Sequence, residues 1–120
     1  MQDKATIALI TGASRGLGKS TALALAKQGV GVIVTYLNSE AEAKAVVSQI
    51  EAMGGKAVAL QLDTGNIKTF DAFVVQVKQA LQNTWQTEQF DFLINNAGMG
   101  IYASFAETTE DEFDQLFNTH

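Results

Sequence analysis

Short apolar runs alternate with amphipathic stretches along this chain of 120 residues. Four of the runs are nearly continuous in Val, Ile, Leu, Ala or Phe, and they lie at residues 6–11, 31–36, 56–62 and 90–95. Continuous apolar runs are typical of parallel strands that are covered on both faces of a sheet. The pattern therefore predicts four buried parallel strands.

The stretches between these runs predict helices at residues 16–28, 39–53 and 67–83. A capping box, formed by Thr109 and by Glu112 three positions later, predicts a last helix near the end of the chain. The third helix has the clearest apolar stripe, which we expect to face the core. Its members are Phe70, Phe73, Val74, Val77 and Leu81.

Alternating strands and helices predict an α/β fold, a doubly wound parallel sheet between two layers of helices. Right-handed crossovers through four strands give the strand order 3-2-1-4, which leaves the fourth strand at an edge. A helix that ends at residues 118–120 with no glycine or basic last turn is unusual for a domain end. We therefore expect one domain over residues 1–120 that is only the first half of such a sheet.

The connection between the first strand and the first helix is rich in glycine. From residue 11 to residue 18 its sequence is TGASRGLG. Gly12 would let the chain leave the strand sharply, Gly16 would let backbone amides approach a pyrophosphate, and Gly18 would let the helix pack closely on the sheet. The helix N-terminus adds free N–H groups and the positive end of its dipole. The sequence predicts a turn that binds a pyrophosphate.

A second motif, Asn-Asn-Ala-Gly, follows the fourth strand at residues 95–98. With Thr-Gly-x-x-x-Gly-x-Gly at residues 11–18, it makes the whole chain resemble the short-chain dehydrogenase/reductase family. The resemblance implies a Rossmann-type NAD(P)-binding domain, in which Asn95 ties strands together and Ala97 and Gly98 lie beside the adenosine ribose. Neighbouring first and fourth strands would bring both motifs to the crevice where such sheets bind ligands.

Cofactor choice depends on the end of the second strand, where a carboxylate about 20 residues beyond the glycine turn would mark NAD. Here the strand ends at Tyr36, and the first acidic residue is Glu40. A 2′-phosphate is bound by cations and neutral donors, which Arg15, Asn38 and Ser39 would supply. We expect NADP(H) as the preferred cofactor, with NAD(H) as the alternative.

Further site residues are implied by the resemblance. Asp63, followed by Thr64, matches the aspartate that bonds to the adenine amino group, although a turn-forming or helix-capping aspartate is an equal alternative. Asn118 matches the asparagine that anchors a water in the family's proton relay, against the alternative of an exposed polar helix residue. The predicted cofactor-binding residues are Gly12, Ser14, Arg15, Gly16, Leu17, Gly18, Tyr36, Asn38, Ser39, Asp63, Thr64, Asn95, Ala97 and Gly98.

The family's acid is a tyrosine whose pKa is lowered by a lysine four residues later, with a serine that polarises the carbonyl. Neither tyrosine of this chain fits, because Glu40 follows Tyr36 and Ala106 follows Tyr102 at that spacing. The resemblance itself implies an oxidoreductase that transfers hydride between a nicotinamide cofactor and a carbonyl or alcohol substrate. We expect NADP(H) to be that cofactor. We expect these 120 residues alone to be inactive, with the acid, lysine and serine in residues not shown.

The amino-acid composition and net charge limit the kinds of partner that we expect. A net charge of -5 gives no sign of nucleic-acid or membrane-surface binding, and 47% hydrophobic residues are ample for a core. The sequence has no cysteine and no apolar run long enough to span a bilayer, and its start has no leader pattern. We expect a cytoplasmic protein with a small-molecule substrate and no metal site. The resemblance implies a homo-tetramer or dimer at full length, built in part on the helix that starts at Thr109.

Two other functions remain open. Residues 13–20, ASRGLGKS, fit a relaxed nucleoside-triphosphate P-loop with Ala in place of the first Gly, and the run ending at Asp63 would then bind magnesium. That alternative leaves the motif at residues 95–98 unexplained. The other alternative is a dinucleotide-binding module that has no turnover and, with one strand edge unpaired, low stability.

Overall fold

The structure is a computed structural model that describes residues 5–13, 16–62 and 70–95. The predicted helix at Thr109 lies outside these residues. In the part of the chain that the structure describes, four strands alternate with three helices. They are β1 (Ile7–Thr11), α1 (Gly16–Lys27), β2 (Gly31–Tyr36), α2 (Glu40–Ala52), β3 (Ala57–Gln61), α3 (Phe70–Trp85) and β4 (Phe92–Asn95).

The four strands form one parallel sheet in the order β3-β2-β1-β4, which confirms the predicted order and the Rossmann-type α/β class. In the register, Ile10 lies opposite Val34 of β2, and Thr11 lies opposite Asn95 of β4. The carboxyl ends of β1, β2 and β4 therefore meet at one edge of the sheet.

Each face of the sheet has its own hydrophobic cluster. Helices α1 and α2 pack on the face that presents Ala8 and Ile10, whereas α3 packs on the face that presents Ile7 and Leu9. Four members of the predicted α3 stripe are buried, as expected; the side chain of Phe70 lies outside the description. The four are Phe73, Val74, Val77 and Leu81.

Burial of the strands differs from the prediction. All of β1 and most of β2 are buried, but β3 is largely half-buried and Phe92 of β4 is 51% exposed. The expectation of four buried strands is therefore wrong for β3 and β4. These two are the outer strands of the sheet described here, and each has a strand neighbour on one side only.

Most element ends match the sequence prediction within one residue, and two ends within the described ranges differ by more. The predicted start of α3 at residue 67 lies outside the described residues. Strand β4 begins at Phe92 rather than at residue 90, because Asp91 binds the start of β1 at both backbone groups of Ile7. The Ile7 N–H donates to Asp91 Oδ2 at 2.8 Å, and the Asp91 N–H donates to the Ile7 carbonyl at 2.8 Å.

Helix α3 continues to Trp85, two residues beyond its predicted end. We attribute this extension to a tertiary contact, because the indole of Trp85 packs over the start of β2. A Cβ built on Gly31 would lie 2.6 Å from Trp85 Nε1, so the ring fills the space that glycine leaves. Within the described ranges, no helix combines the length and the apolar character needed to cross a membrane.

Candidate nucleotide-binding site

The glycine turn after β1 is held by β2. The Gly12 N–H donates to Thr35 Oγ1 at 3.3 Å, and the Ala13 N–H donates to the Thr35 carbonyl at 3.2 Å. Thr35 is buried, with 2% of its surface exposed. Sequence reasoning missed this residue; its one sign was a hydroxyl within an otherwise apolar run.

Gly18 brings the first helix into contact with the same turn. A Cβ on Gly18 would overlap the carbonyl oxygen of Gly12 and would lie 3.0 Å from the Cα of Ala13. Only glycine leaves room for this approach. The predicted close packing at Gly18 is thus present, and its partner is the turn rather than the strands.

Gly16, where α1 begins, lies in open space, whereas Gly18 is tightly packed. Nothing lies within 4 Å of a Cβ built on it, and its φ of +61° is one that other residues rarely adopt. The next residue, Leu17, is 76% exposed. The first amides of α1 have no acceptor within the helix, and they carry the positive end of its dipole. This open, amide-rich end fits an anionic group such as a pyrophosphate.

The second motif begins beside the glycine turn. Asn95 is the register partner of Thr11, and the Thr11 hydroxyl donates to the carbonyl of Ile94 at 3.5 Å. The two motifs therefore start from adjacent strand ends, as the strand order predicts. Of the second motif the structure describes the backbone of Asn95.

The end of β2 carries no carboxylate. Its last residue is Tyr36, whose carbonyl accepts from the Leu62 N–H at 2.8 Å. Asn38 is exposed and Ser39 is half-buried before α2 begins. The first acidic side chain is that of Glu40, which accepts a hydrogen bond from the Tyr36 hydroxyl at 3.3 Å.

Tyr36 has the wrong electrostatics for a proton donor that must ionise readily. Partial burial raises its pKa above the ordinary value of 10.0, and the nearby Glu40 carboxylate raises this pKa further. A catalytic tyrosine of the kind described above needs a lowered pKa and a lysine partner. The raised pKa of Tyr36 is the opposite of that requirement.

The other predicted site residues lie outside the described residues. These are Ser14, Arg15, Asp63, Thr64, Ala97, Gly98 and Asn118. Two clefts within the described ranges lie away from the glycine turn. One, of about 400 Å³, is lined by Lys78 and Gln82 of α3, and the other, of about 360 Å³, lies near Gly54 and Trp85 at the opposite edge of the sheet.

Comparison with known proteins gives a family. The model of the short chain dehydrogenase family matches residues 6–120. An uncharacterised oxidoreductase of Methylorubrum extorquens is 39% identical over 114 residues, which are 95% of this chain and 44% of that protein. A 3-oxoacyl-[acyl-carrier-protein] reductase of Synechocystis is 45% identical over 95 residues, which are 79% of this chain and 36% of that protein.

Solved structures similar to this chain are also reductases and short-chain oxidoreductases. A promiscuous reductase that catalyses keto-reduction at C1 in lugdunomycin biosynthesis has a TM-score of 0.80 and 26% identity, over 94% of this chain and 52% of that one. A metagenomic short-chain oxidoreductase in complex with NADP has a TM-score of 0.66 and 33% identity, over 80% of this chain and 40% of its own. A Brucella melitensis 3-oxoacyl-[acyl-carrier protein] reductase in complex with NAD has a TM-score of 0.66 and 34% identity, over 82% and 35%.

The chain spans about two fifths of the length of the curated relatives it matches. The match nevertheless includes both motifs, and the sheet order and glycine turn have the arrangement that these motifs predict. This chain belongs to the short-chain dehydrogenase family.

Proposed function

We propose that this chain is the cofactor-binding half of an NADP(H)-dependent oxidoreductase that transfers hydride between the nicotinamide and a carbonyl or alcohol substrate. The observation that carries the proposal is the glycine turn, which Thr35 fixes to β2 and which Gly18 joins to α1. Relatives named as reductases and neighbours bound to NADP or NAD support it.

The proposed contacts divide by part of the cofactor. The backbone at Gly12, Gly16 and Leu17 binds the pyrophosphate, since it offers amides and the positive end of α1. The segment from Asn95 through Ala97 and Gly98 flanks the adenosine ribose, as the resemblance implies. Gly18 acts indirectly, by setting the distance between α1 and the turn.

Asp63 with Thr64 is proposed at the adenine, and Asn118 at a water of the proton relay. When bound, the nicotinamide donates or accepts the hydride, and this chain's residues bind and orient the cofactor. No Tyr-x-x-x-Lys occurs in these 120 residues. We place that pair, with the serine, in the part of the relatives that this chain does not span.

The preference for NADP(H) is supported by the end of β2. Tyr36 stands where a ribose-binding carboxylate would mark NAD, and Asn38 and Ser39 follow it with neutral polar side chains. Arg15 adds the cation that a 2′-phosphate requires.

A binding titration tests this function. The full-length protein that carries this chain is titrated with NADPH and NADH, and separately with ATP in the presence and absence of Mg²⁺. We expect metal-independent binding of both dinucleotides, with NADPH the tighter. Failure of both dinucleotides to bind would overturn the proposal, and Mg²⁺-dependent binding of ATP would favour the P-loop alternative.

A turnover assay separates an enzyme from a module that only binds. NADPH oxidation is followed with a panel of ketones and aldehydes. We expect oxidation with at least one carbonyl compound, whereas tight binding with no turnover on the panel would support the non-catalytic alternative. The same preparation serves to test the proposed dimer or tetramer by sedimentation and the proposed cytoplasmic location by cell fractionation.

A further inference from the structure

We propose that Tyr36 and Lys44 neutralise the Glu40 carboxylate at the ribose end of the nucleotide site, and that this compensation favours a dinucleotide with a 2′-phosphate over one with a 2′-hydroxyl. We refer to these three residues as the Tyr36 cluster. The inference rests on the proposed function, because it names the feature of that site that selects between two cofactors.

The Tyr36 cluster lies at the same strand end as the glycine turn. Thr35, which holds the turn through its hydroxyl and its carbonyl, directly precedes Tyr36. Glu40 is the first residue of α2, only four residues beyond Tyr36 at the end of β2. A charge at this position therefore acts on a ligand that is bound between the turn and the end of β2.

Both partners of Glu40 meet the same oxygen. The Tyr36 hydroxyl donates to Glu40 Oε2 at 3.3 Å, and Lys44 Nζ lies 3.4 Å from that oxygen. Glu40 and Lys44 are one helical turn apart, which places them on one side of α2. The Lys44 ammonium is a positive neighbour of the Glu40 carboxylate, and the Tyr36 hydroxyl is a neutral donor to it. The net charge of Glu40 and Lys44 together is therefore zero.

Stabilising the fold is a weak explanation for this arrangement. The Lys44 and Glu40 side chains are 69% and 59% exposed, and ion pairs this exposed contribute little to the free energy of unfolding. An exposed charge still acts on a charged ligand at short range. Alone, Glu40 would repel a 2′-phosphate and offer an acceptor to a 2′-hydroxyl, which is how a carboxylate in this region selects NAD.

Four variants of the full-length protein test the cluster, each titrated with NADPH and NADH. K44Q removes the compensating charge, so the Kd for NADPH should rise about threefold to tenfold while that for NADH stays within about twofold. E40Q should tighten NADPH binding about twofold to fivefold. The double variant K44Q/E40Q should return to the parental ratio of the two Kd values, and K44R should preserve it.

Matched controls change the same charges elsewhere. E51Q alters the last turn of α2, eleven residues from Glu40 and so about 16 Å along the helix. K27Q alters the last turn of α1, which leads into the amino end of β2 and so lies at the opposite end of the strands from Glu40. We expect both controls to leave the ratio of Kd values unchanged. Thermal unfolding of every variant checks that each one folds.

Salt sharpens the test, since screening weakens exposed charges. The K44Q effect should be largest near 20 mM salt and should nearly vanish near 500 mM. If the parent binds neither dinucleotide, the proposed function fails. If the parent binds both but K44Q shifts the ratio no more than K27Q does, only the role of the Tyr36 cluster fails. A double variant that keeps the K44Q ratio would overturn that role as well.

Discussion

The two faces of the sheet are packed with side chains of different size. The face under α1 and α2 includes six buried alanines, whereas the face under α3 includes Phe73, Leu81 and Phe90. The six are Ala8, Ala13, Ala22, Ala26, Ala43 and Ala57. Small side chains let a helix approach its neighbours, and large ones bury more apolar surface. We infer that the α1/α2 face sets the geometry of the glycine turn and that the α3 face contributes more to stability.

The largest expected effect is on the α3 face. Phe90 is fully buried, so F90A should lower the free energy of unfolding by about 3–5 kcal/mol through lost burial and a cavity. The matched control is V75A on the exposed side of α3, where Val75 is 52% exposed and the change should stay within about 0.5 kcal/mol. Urea unfolding measures both. If F90A costs no more than V75A, the α3 face does not have the role given to it here.

The next effect is on the close-packed face. G18A would force a methyl group onto the Gly12 carbonyl, and we expect it to cost about 3 kcal/mol and to weaken NADPH binding by tenfold or more. G16A meets no neighbour and suffers only its positive φ, at about 1–2 kcal/mol. Unfolding curves and NADPH titrations of the two variants check this. Equal losses in both variants would contradict a close approach at Gly18.

A smaller effect is expected where β2 holds the turn. T35V keeps the shape of the side chain but removes the hydroxyl that accepts from the Gly12 N–H, at a cost of about 1–2 kcal/mol. NADPH binding should weaken several-fold as the turn loosens. T21V removes a hydroxyl that bonds to the exposed Leu17 carbonyl, and it should change stability by less than about 0.5 kcal/mol. A T35V protein that binds NADPH like T21V would show that the turn does not need this bond.

The smallest effect concerns pH at the Tyr36 cluster. Burial and Glu40 raise the pKa of Tyr36 in the folded state, so the folded protein keeps this proton to higher pH than the unfolded chain does. The resulting stability is present below pH 10 and is lost as pH rises through the folded pKa. The loss should be small because Tyr36 is only half-buried and the side chain of its partner Glu40 is exposed. Urea unfolding at pH 8 to 11 should show it in the parent and not in Y36F.

Phenolate absorbance gives a second measurement of the same shift. The difference between the parent and Y36F isolates Tyr36 from Tyr102, the other tyrosine of the sequence. E40Q should bring the pKa of Tyr36 down towards its ordinary value, since it removes a negative charge beside the hydroxyl. A Tyr36 titration that E40Q leaves unchanged would contradict the contact between the two side chains.

Local signals in the sequence gave good predictions of the elements and their order. The apolar runs located the four strands that the structure describes, and the right-handed crossover rule was sufficient to order them. The α3 stripe also predicted its buried face, because helical spacing is a property of neighbouring residues alone. The prediction that the outer strands are buried was wrong, because a run of Val, Leu and Ala in β3 does not show whether a further strand lies beside it.

The candidate site divides in the same way. The glycine pattern predicted the turn and the close approach at Gly18, and it did so because those backbone geometries require glycine. It did not predict that Thr35 holds the turn from 23 residues away, since that bond depends on how β1 and β2 are aligned.

By itself, then, the sequence determined the α/β class, the strand order and the position of the glycine turn, all of which follow from the periodicity of side chains and the special backbone of glycine. Only the tertiary structure decided that Asp91 sets the start of β4, that Trp85 extends α3 over Gly31, and that Glu40 is shared by Tyr36 and Lys44. The first two depend on contacts between distant residues. The third depends on the orientation of side chains at the end of β2 and the start of α2, which spacing along the chain permits but does not fix.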